Sequence, residues 1–523
     1  MNQTKLIIIT ALFFTIFSNY SFFDNVLGVY PFEGINIIYV ISLSLLLFTF
    51  MIFLFTLLSS RYTTKPILII MLIISSLTSY FMNAYHVIID SDMIRNAIQT
   101  DLMESLDLFS LKMVVYLLVL GVIPSLYIYK VELKFDSLKI EFFRKIKTLL
   151  LSLILIIIIL FSFSKFYTSF FREHKPLRYY TNPTYWIYSI GDYISKTLKS
   201  GKIELKAIGL DAKITNSTEE PKLVIMVVGE ATRADHFSLN GYKRETNPLL
   251  KKENIINLPN VSSCGTSTAH SVPCMFSIFD RDDYSYKKGI STENVLDVLY
   301  HTNKISILWR DNNSDSKGVA LRVPFEDYKR SPNNTICDEE CRDEGMLVGL
   351  DKYISKQKNK DILIVLHQMG NHGPAYNKRY TKIFQKFTPV CKTNQLEMCS
   401  QKSINNAYDN ALLYTDYFLS KVINLLKRYD KTHKTSMIYM SDHGESLGEH
   451  GLYLHGLPYF MAPDAQTHIG AVIWFGKGNQ KTIDSTKEYS HDNLFHTLLG
   501  LFNVETKVYK KELDMFKENG TIH

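Results

Sequence analysis

The sequence predicts two structural parts, an α-helical transmembrane domain with five spans and a largely parallel α/β domain. Long apolar runs dominate roughly the first third of the 523 residues, and the remainder has the mixed polarity of a globular domain. From residue 222 onward, short apolar β-rich runs alternate with helical patterns, which is typical of α/β domains. We expect the transmembrane domain over 1–164, interfacial helices and a linker over 165–221, and the α/β domain over 222–523.

Five apolar runs have about the length needed to cross a bilayer. They cover residues 6–23, 37–58, 67–85, 111–129 and 149–163. The first run is short and could be a signal peptide. Because no small-residue cleavage motif follows it, we interpret it as an uncleaved anchor.

The charges of the connecting loops predict the orientation of these spans. Basic residues follow the second span (Arg61, Lys65) and the fourth (Lys130, Lys134, Lys139, Arg144, Lys145, Lys147). The loop between the third and fourth spans is acidic, with Asp90, Asp92, Asp101, Glu104 and Asp107 against Arg95. By the positive-inside rule the basic loops are cytoplasmic. Five spans that start inside end outside, so we expect the α/β domain in the periplasm.

The six cysteines indicate the same compartment. All lie in the second half and form three pairs close in sequence: Cys264 and Cys274, Cys337 and Cys341, and Cys391 and Cys399. Close pairs in an even count are typical of disulfides in an oxidising compartment. Reduced buried thiols or a metal site are the alternatives. No second pair or adjacent histidine completes a tetrahedral zinc site beside Cys337 and Cys341.

Basic and aromatic residues are mixed directly after the last span, between Arg172 and Tyr188. This mixture is typical of a segment at the membrane–water interface, although a surface loop of the α/β domain is the alternative. The formal net charge of +7 is modest and suits an anionic membrane surface. Because the sequence lacks a Gly-rich phosphate loop or an Arg-rich tract, we expect no nucleic-acid partner.

Polar side chains follow four predicted strands at their carboxyl ends. The predicted strands are 223–228, 305–309, 362–366 and 437–440, with a fifth at 471–475. The polar residues after the first four are Glu230, then Asn313 and Lys317, then His367 and His372, then Asp442 and His443, with His455 shortly after. Ligand sites of open α/β sheets form beyond the carboxyl ends of the strands. We therefore expect these metal-ligand types to meet at one edge.

Three hydroxyls, those of Thr266, Ser267 and Thr268, precede a predicted helix. The N–H groups and dipole of a helix N-terminus can hold a phosphoryl group, and a metal ion can activate a threonine hydroxyl. Serine and threonine also often cap a helix without any chemistry. The residues alone do not choose among the three hydroxyls.

Five segments together resemble the lipid A phosphoethanolamine transferases of Gram-negative bacteria, which include the colistin-resistance enzymes. The segments are VVGEATRADHFSLNGY (227–242), CGTSTAHSVPCMFS (264–277), WRDNN (309–313), HQMGNHGPAY (367–376) and SDHGESLGE (441–449). The resemblance covers essentially the whole chain. It implies an alkaline phosphatase/sulfatase-like fold for the α/β domain and disulfides within the three cysteine pairs.

The resemblance also implies the roles of individual residues. A zinc site would comprise Glu230, the Thr268 hydroxyl, Asp442 and His443, with Thr268 as the nucleophile. A second group would hold the donor phosphate or a second metal ion during turnover: His372, His455, Lys317 and Asn313. Asn96 and Glu104 match positions that handle the lipid substrate. His236, His270, His450, His468, His491 and His496 are interpreted as surface or packing residues, and His367 as either packing or a support for the ligands.

The implied reaction moves phosphoethanolamine from phosphatidylethanolamine to a phosphate of lipid A in lipopolysaccharide, through a covalent phosphothreonine-type intermediate, and confers resistance to polymyxin. We expect a monomer with one zinc ion. The alternatives are another acceptor, either core oligosaccharide or a periplasmic protein, and an inactive membrane sensor of the same fold. A sulfatase is disfavoured because residues 268–272 lack the Cys/Ser-x-Pro-x-Arg motif.

Overall fold

The computed structural model describes residues 1–100, 102–198, 204–215, 220–357, 360–479 and 481–516. The chain forms two compact units. Met1–Ile94 and Phe109–Ser195 form the membrane unit, and Arg95–Leu108 and Lys196–His523 form the α/β unit. The segment Arg95–Leu108 therefore belongs to the α/β unit, although it lies between two apolar helices in the chain. The domain limits predicted at residues 164 and 221 stay a prediction.

Within the described residues, four helices are long and apolar enough to cross a membrane, and one bent helix pair makes a fifth candidate. The four helices are Asn36–Leu58, Thr64–Tyr85, Leu111–Lys130 and Leu138–Ser162, and the bent pair is Gln3–Phe17 with Tyr20–Val29. Only 11% of the most apolar stretch of the helix Leu138–Ser162 is buried inside the protein. An apolar helix exposed in this way is suited to contact lipid.

Two of the predicted spans differ from the observed helices. The run 6–23 is broken, and its two helices bend by 53°. Asn19 lies at the break, where its amide donates to the Phe14 carbonyl (2.9 Å) and to the Asn182 carbonyl (2.6 Å); such bonds compete with helical ones. The helix predicted at 149–163 begins at Leu138. Its basic residues from Lys139 onward therefore lie on the helix and not in a loop.

The predicted interfacial segment is helical. It contains the helices Ser164–Glu173 and Thr184–Leu198, joined through a 3₁₀ turn at Lys175–Tyr180. The first of them buries Phe166, Tyr167 and Phe170 on one side. The segment is therefore not an irregular surface loop, whereas its position at the membrane interface stays a prediction.

A seven-stranded sheet forms the centre of the α/β unit in the described part of the chain. Its strands are, in spatial order, Ile255–Asn257, Ala471–Phe475, Lys434–Ser441, Lys222–Gly229, Asp361–His367, Ile305–Asp311 and Phe325–Asp327. Ala471–Phe475 runs antiparallel to both of its neighbours, and all the other neighbouring pairs are parallel. The prediction of a largely parallel sheet is therefore confirmed.

Helices cover this sheet, so its central strands are buried on both faces. Every residue of Lys222–Gly229 is buried, which explains its unbroken apolar sequence. The helices of the α/β unit are Ser91–Gln99 in part, Leu102–Asp107, Thr268–Met275, Tyr286–Ile290, Val295–His301, Leu350–Lys356, Gln401–Lys427, Asp464–Thr467 and Leu494–Leu501. Gln401–Lys427 is the longest of these, and it is buried on all sides over residues 406–416.

Short strand pairs and disulfides complete the unit. The pairs are Lys213–Ile214 with Val504–Glu505, Val261–Ser262 with Tyr489–Ser490, and Ser446–Leu447 with Tyr453–Leu454. Part of the predicted linker at 211–222 is therefore a strand of the α/β unit. The disulfides are Cys264–Cys274, Cys337–Cys341 and Cys391–Cys399, so the predicted pairing is confirmed.

Candidate active site

Two adjacent parallel strands carry the centre of the site. Lys222–Gly229 and Lys434–Ser441 pair in parallel with Gly229 opposite Ser441, so Glu230 and Asp442 follow the two strands side by side. The Asp442 N–H donates to the Gly229 carbonyl at 2.9 Å. A Cβ atom at position 229 would lie 2.5 Å from the Tyr439 hydroxyl, so this close approach requires glycine.

Four predicted ligands meet at this edge, and we call them the ligand cluster: Glu230, Thr268, Asp442 and His443. The Thr268 hydroxyl lies 3.2 Å from Glu230 Oε2 and 3.3 Å from His443 Nε2. His443 Nε2 lies 3.5 Å from Glu230 Oε1 and 3.3 Å from Asp442 Oδ2. All four side chains are buried. The structure therefore brings together the four residues that the resemblance implied.

The ligand cluster has the chemistry of a divalent metal site. Asp442 Oδ1 accepts the N–H groups of Ala231 and His443, whereas Asp442 Oδ2 is buried without a hydrogen-bond partner among the described residues. Burial lowers the pKa of His443 to about 4, against the opposing effect of Asp442. Its Nδ1 faces the Gly444 carbonyl at 2.8 Å, which leaves a neutral Nε2 toward the carboxylates. Such an oxygen and imidazole set fits zinc.

The three candidate hydroxyls have different environments. The Thr266 hydroxyl donates to the Leu457 carbonyl at 2.6 Å. Ser267 is the N-cap of the helix Thr268–Met275, but its side chain makes no capping hydrogen bond. Thr268, the first residue of that helix, directs its hydroxyl at Glu230 and His443. The capping interpretation therefore does not account for Thr268.

Asn313 lies against the ligand cluster. Its amide donates to Glu230 Oε2 and to the Gln368 carbonyl, both at 2.8 Å. Asp311 accepts the Asn313 N–H through Oδ1 and faces His367 Nδ1 through Oδ2, both at 2.9 Å. Asn313 thus orients Glu230, and His367 supports Asn313 from behind through Asp311.

A second histidine group borders the ligand cluster. The His455 ring centre lies 4.2 Å from that of His443 and 6.0 Å from that of His372. His455 Nδ1 is 2.7 Å from Glu445 Oε2, and the Tyr376 hydroxyl donates to Glu445 Oε1 at 2.7 Å. Glu445 therefore orients His455. The sequence interpretation gave Glu445 no role. Its position three residues after Asp442, in a segment that matches the family, could have indicated one.

The remaining predicted residues lie elsewhere in the α/β unit. The buried Lys317 ammonium group is 3.4 Å from the Gln99 carbonyl and 3.9 Å from Asp315, so these contacts lead to the segment Arg95–Leu108. Asn96 is half-buried on the helix Ser91–Gln99, and its carbonyl accepts the Thr100 hydroxyl at 2.7 Å. Glu104 belongs to the helix Leu102–Asp107, and its side chain lies outside the described residues.

Most other histidines have packing roles, as expected. His491 joins the loop that precedes the helix Thr268–Met275 to the sheet, because its Nδ1 accepts the Cys264 N–H (3.0 Å) and its Nε2 faces the Ser441 carbonyl (2.9 Å). Burial lowers the pKa of His491 to about 4, which keeps Nδ1 available as an acceptor. His236 pairs with Asp409, His468 with the Pro259 carbonyl and His496 with the Lys510 N–H.

Two protein-family models match this chain. The Sulfatase family matches residues 222–504, and the family Phosphoethanolamine transferase EptA/EptB matches residues 47–198. The chain is 45% identical over 516 residues to phosphatidylethanolamine transferase Mcr-2 of Escherichia coli, covering 96% of each.

Two solved structures extend this comparison. The integral membrane protein lipooligosaccharide phosphoethanolamine transferase A of Neisseria meningitidis superposes with a TM-score of 0.94 at 36% identity, covering 98% of both chains. The C-terminal periplasmic domain of phosphoethanolamine transferase EptC of Campylobacter jejuni matches 60% of this chain and 97% of its own, with 44% identity and a TM-score of 0.53. With matches that span nearly its whole length, this chain belongs to the phosphoethanolamine transferases, integral membrane enzymes whose α/β part is of the sulfatase family.

Proposed function

We propose that this chain transfers phosphoethanolamine from phosphatidylethanolamine to a lipid A phosphate through a covalent intermediate on Thr268, and thereby confers resistance to polymyxin. The observation that carries this proposal is the buried Thr268 hydroxyl, 3.2 Å from Glu230 and 3.3 Å from His443. The names of the relatives support both substrates, since one names phosphatidylethanolamine and another lipooligosaccharide.

The proposed setting is the Gram-negative inner membrane, with five spans and the α/β unit in the periplasm. The basic residues after the second span, and those between the fourth span and the apolar run 149–163, support this orientation. The three disulfides of the α/β unit are typical of an oxidising compartment. The domain name of the Campylobacter jejuni relative points to the same compartment. Both lipid substrates would then reach the enzyme from the outer leaflet.

One zinc ion would be held by Glu230, Asp442, His443 and the Thr268 oxygen. The buried Asp442 Oδ2 and the neutral His443 Nε2 support this ligand set. When bound, zinc supplies positive charge that favours the deprotonated hydroxyl. A second ion during turnover would lie beside His455, where His443, Glu445 and His455 also have ligand atoms within 4.8 Å of one another.

The first step would place phosphoethanolamine on Thr268. The Thr268 oxygen attacks the donor phosphorus, and its proton leaves along the hydrogen bond to Glu230 Oε2. The bond between phosphorus and the diacylglycerol oxygen breaks as the new bond forms. That leaving oxygen takes a proton from His455 or His372 and departs as diacylglycerol.

The second step would transfer phosphoethanolamine from Thr268 to the acceptor. An oxygen of the lipid A phosphate attacks the phosphorus, and its proton passes to the histidine that protonated diacylglycerol. The bond from phosphorus to the Thr268 oxygen breaks, and that oxygen regains its proton from Glu230. His372 and His455 would offset charge on the non-bridging oxygens in both steps, while Asn313 keeps Glu230 in place. Two displacements through one covalent enzyme predict ping-pong kinetics.

The test is expression in a Gram-negative host that lacks such activity, followed by mass spectrometry of its lipid A. We expect a gain of one phosphoethanolamine group with the wild-type chain and none with Thr268→Ala. If folded, zinc-loaded wild-type protein leaves lipid A unmodified, lipid A is not the acceptor. Core oligosaccharide and periplasmic proteins would then be analysed for the same group.

A further inference from the structure

The segment Arg95–Leu108 is attached to the α/β unit at three places. The Arg95 guanidinium lies 4.1 Å from the ring centre of Tyr286. The Gln99 carbonyl lies 3.4 Å from the Lys317 ammonium group. Asp107 bonds to Lys378 and Arg379. The segment that carries Asn96 and Glu104 is therefore held by side chains of the α/β unit itself.

Asp107 makes the strongest of these attachments. Its Oδ1 is 2.6 Å from the Lys378 ammonium group, and its Oδ2 is 2.6 Å from the Arg379 guanidinium. The Asn394 amide donates to its backbone carbonyl at 2.9 Å. Burial raises the pKa of Asp107, but the charges and hydrogen bonds of Arg379 and Lys378 outweigh burial and hold that pKa below its ordinary value. The bond between Asp107 and Arg379 is charge-assisted and shielded from water, where such bonds are strong.

Arg379 connects Asp107 to the active site. Its side chain is 2% exposed, and its second terminal nitrogen pairs with Glu340 in the loop closed by Cys337–Cys341. Its Nε donates to the His372 carbonyl at 2.7 Å. One guanidinium therefore joins Asp107, Glu340 and the backbone of His372. We call Arg379, Asp107, Glu340 and Lys378 the Arg379 cluster.

We infer that Arg379 and Asp107 are positioning residues for the lipid donor, which hold the segment Arg95–Leu108 at a set distance from His372. This inference rests on the proposed function. The planar guanidinium of Arg379 binds the Asp107 carboxylate and the His372 carbonyl at the same time. Because the guanidinium is rigid, it fixes the distance between these two groups. The donor's phosphate would face His372 while its glycerol and acyl part lies along the segment. A small soluble donor has no glycerol or acyl part, so it would need only the contacts of its phosphate near His372.

The test compares two donors on the full-length enzyme in lipid nanodiscs. One is phosphatidylethanolamine, and the other is the water-soluble p-nitrophenyl ester of phosphoethanolamine. We expect Asp107→Asn to raise the KM for phosphatidylethanolamine by about tenfold, within the range of ordinary couplings between sites. Its kcat and its hydrolysis of the soluble ester should stay near the wild-type values. Asp107→Glu keeps the charge and should restore most of the affinity for the lipid.

Two further variants keep the inference falsifiable. Lys378→Met removes only one of the two cations and should raise the KM less than Asp107→Asn does. Asp351→Asn removes the ion pair with Arg428, whose side chains are 55% and 58% exposed, and is the matched control with no expected change.

Four outcomes can be distinguished. An unchanged KM for phosphatidylethanolamine in folded Asp107→Asn would overturn the inference, and so would an equal loss on both donors. If the wild-type enzyme hydrolyses the soluble ester but never transfers from phosphatidylethanolamine, the proposed function itself fails. In the expected outcome, the wild type uses both donors and only the lipid reaction depends on Asp107.

Discussion

The ligand cluster and the Asp107–Arg379 pair of the Arg379 cluster are both buried, yet their charges are arranged in opposite ways. In the Arg379 cluster, Asp107 and Glu340 face the cations of Arg379 and Lys378. In the ligand cluster, the carboxyl groups of Glu230 and Asp442 flank the His443 imidazole. Burial lowers the pKa of that imidazole to about 4, so it offers them no positive charge at neutral pH. Buried charge is costly unless it is paired or bound to a metal. The first arrangement is suited to hold segments together, and the second to bind a cation.

This comparison predicts which substitutions affect the transfer reaction and which affect the placement of the lipid donor. Changes in the ligand cluster should remove transfer or metal binding without altering the choice between donors. Changes in the Arg379 cluster should alter the choice between donors without removing zinc. The predictions below run from the largest expected effect to the smallest.

Thr268→Ala should produce the largest effect. Because the nucleophile is removed, transfer should fall by at least about a thousandfold, as in other enzymes that lose a nucleophile. Rapid-quench mass spectrometry with phosphatidylethanolamine should show phosphoethanolamine on the peptide that contains Thr268, and on no peptide of the variant. Thr266→Ala is the matched control, since the Thr266 hydroxyl bonds to the Leu457 carbonyl. A labelled peptide in Thr268→Ala would refute the nucleophile assignment.

Asp442→Asn should come next, through loss of metal. Removing one ligand charge should weaken zinc binding by more than about a hundredfold, since even loss of a residue behind the ligands costs 10–100-fold. Bound zinc can be measured by mass spectrometry of the purified protein against a graded chelator. Asp416→Asn is the matched control, because Asp416 is buried but accepts the Leu249 and Leu250 N–H groups instead. Full zinc occupancy in Asp442→Asn would exclude this ligand.

Glu445→Gln should have an intermediate effect. The carboxylate orients His455 at 2.7 Å, so its loss should lower kcat by about 10–100-fold, the usual effect of removing such a partner. Zinc content should change little, which separates this effect from that of Asp442→Asn. Steady-state transfer and zinc content measured on the same preparation test both points. A wild-type kcat in Glu445→Gln would show that His455 needs no such orientation.

Arg428→Met should have the smallest effect. It breaks an exposed ion pair with Asp351, and such pairs contribute only about 0–1 kcal/mol to stability. Thermal unfolding should therefore be nearly unchanged, whereas Arg379→Met should lower the Tm clearly because it leaves the buried Asp107 and the half-buried Glu340 without that cation. Equal shifts in the two variants would show that burial does not distinguish these ion pairs.

Much of the ligand cluster was predictable from sequence. Glu230 and Asp442 each follow an apolar strand directly, and the ends of parallel strands meet at one edge of a sheet. Thr268 was less predictable, because Thr266 and Ser267 have the same chemistry; only the family resemblance singled it out. The structure separates the three through the partner of each hydroxyl.

The break in the first membrane helix could not be predicted from its apolar run. It involves a bond between Asn19 and Asn182, which are 163 positions apart. The start of the last membrane helix was misplaced for a different reason. The basic residues after Leu138 favour a loop when only hydropathy is considered, yet Arg144 pairs with Glu141 at 2.9 Å, a spacing that supports a helix.

The sequence by itself determined the two-part architecture, the disulfide pairs and the edge of the sheet where the ligand cluster forms. Those features depend on hydropathy, residue spacing and strand-end positions, which are local properties of the chain. Only the tertiary structure decided that Glu445 orients His455 and that Arg379 joins Asp107 to His372. Asp107 and Arg379 are 272 positions apart, and no local pattern relates them. Their pairing results from the packing of distant elements, which brings two opposite charges into one buried space.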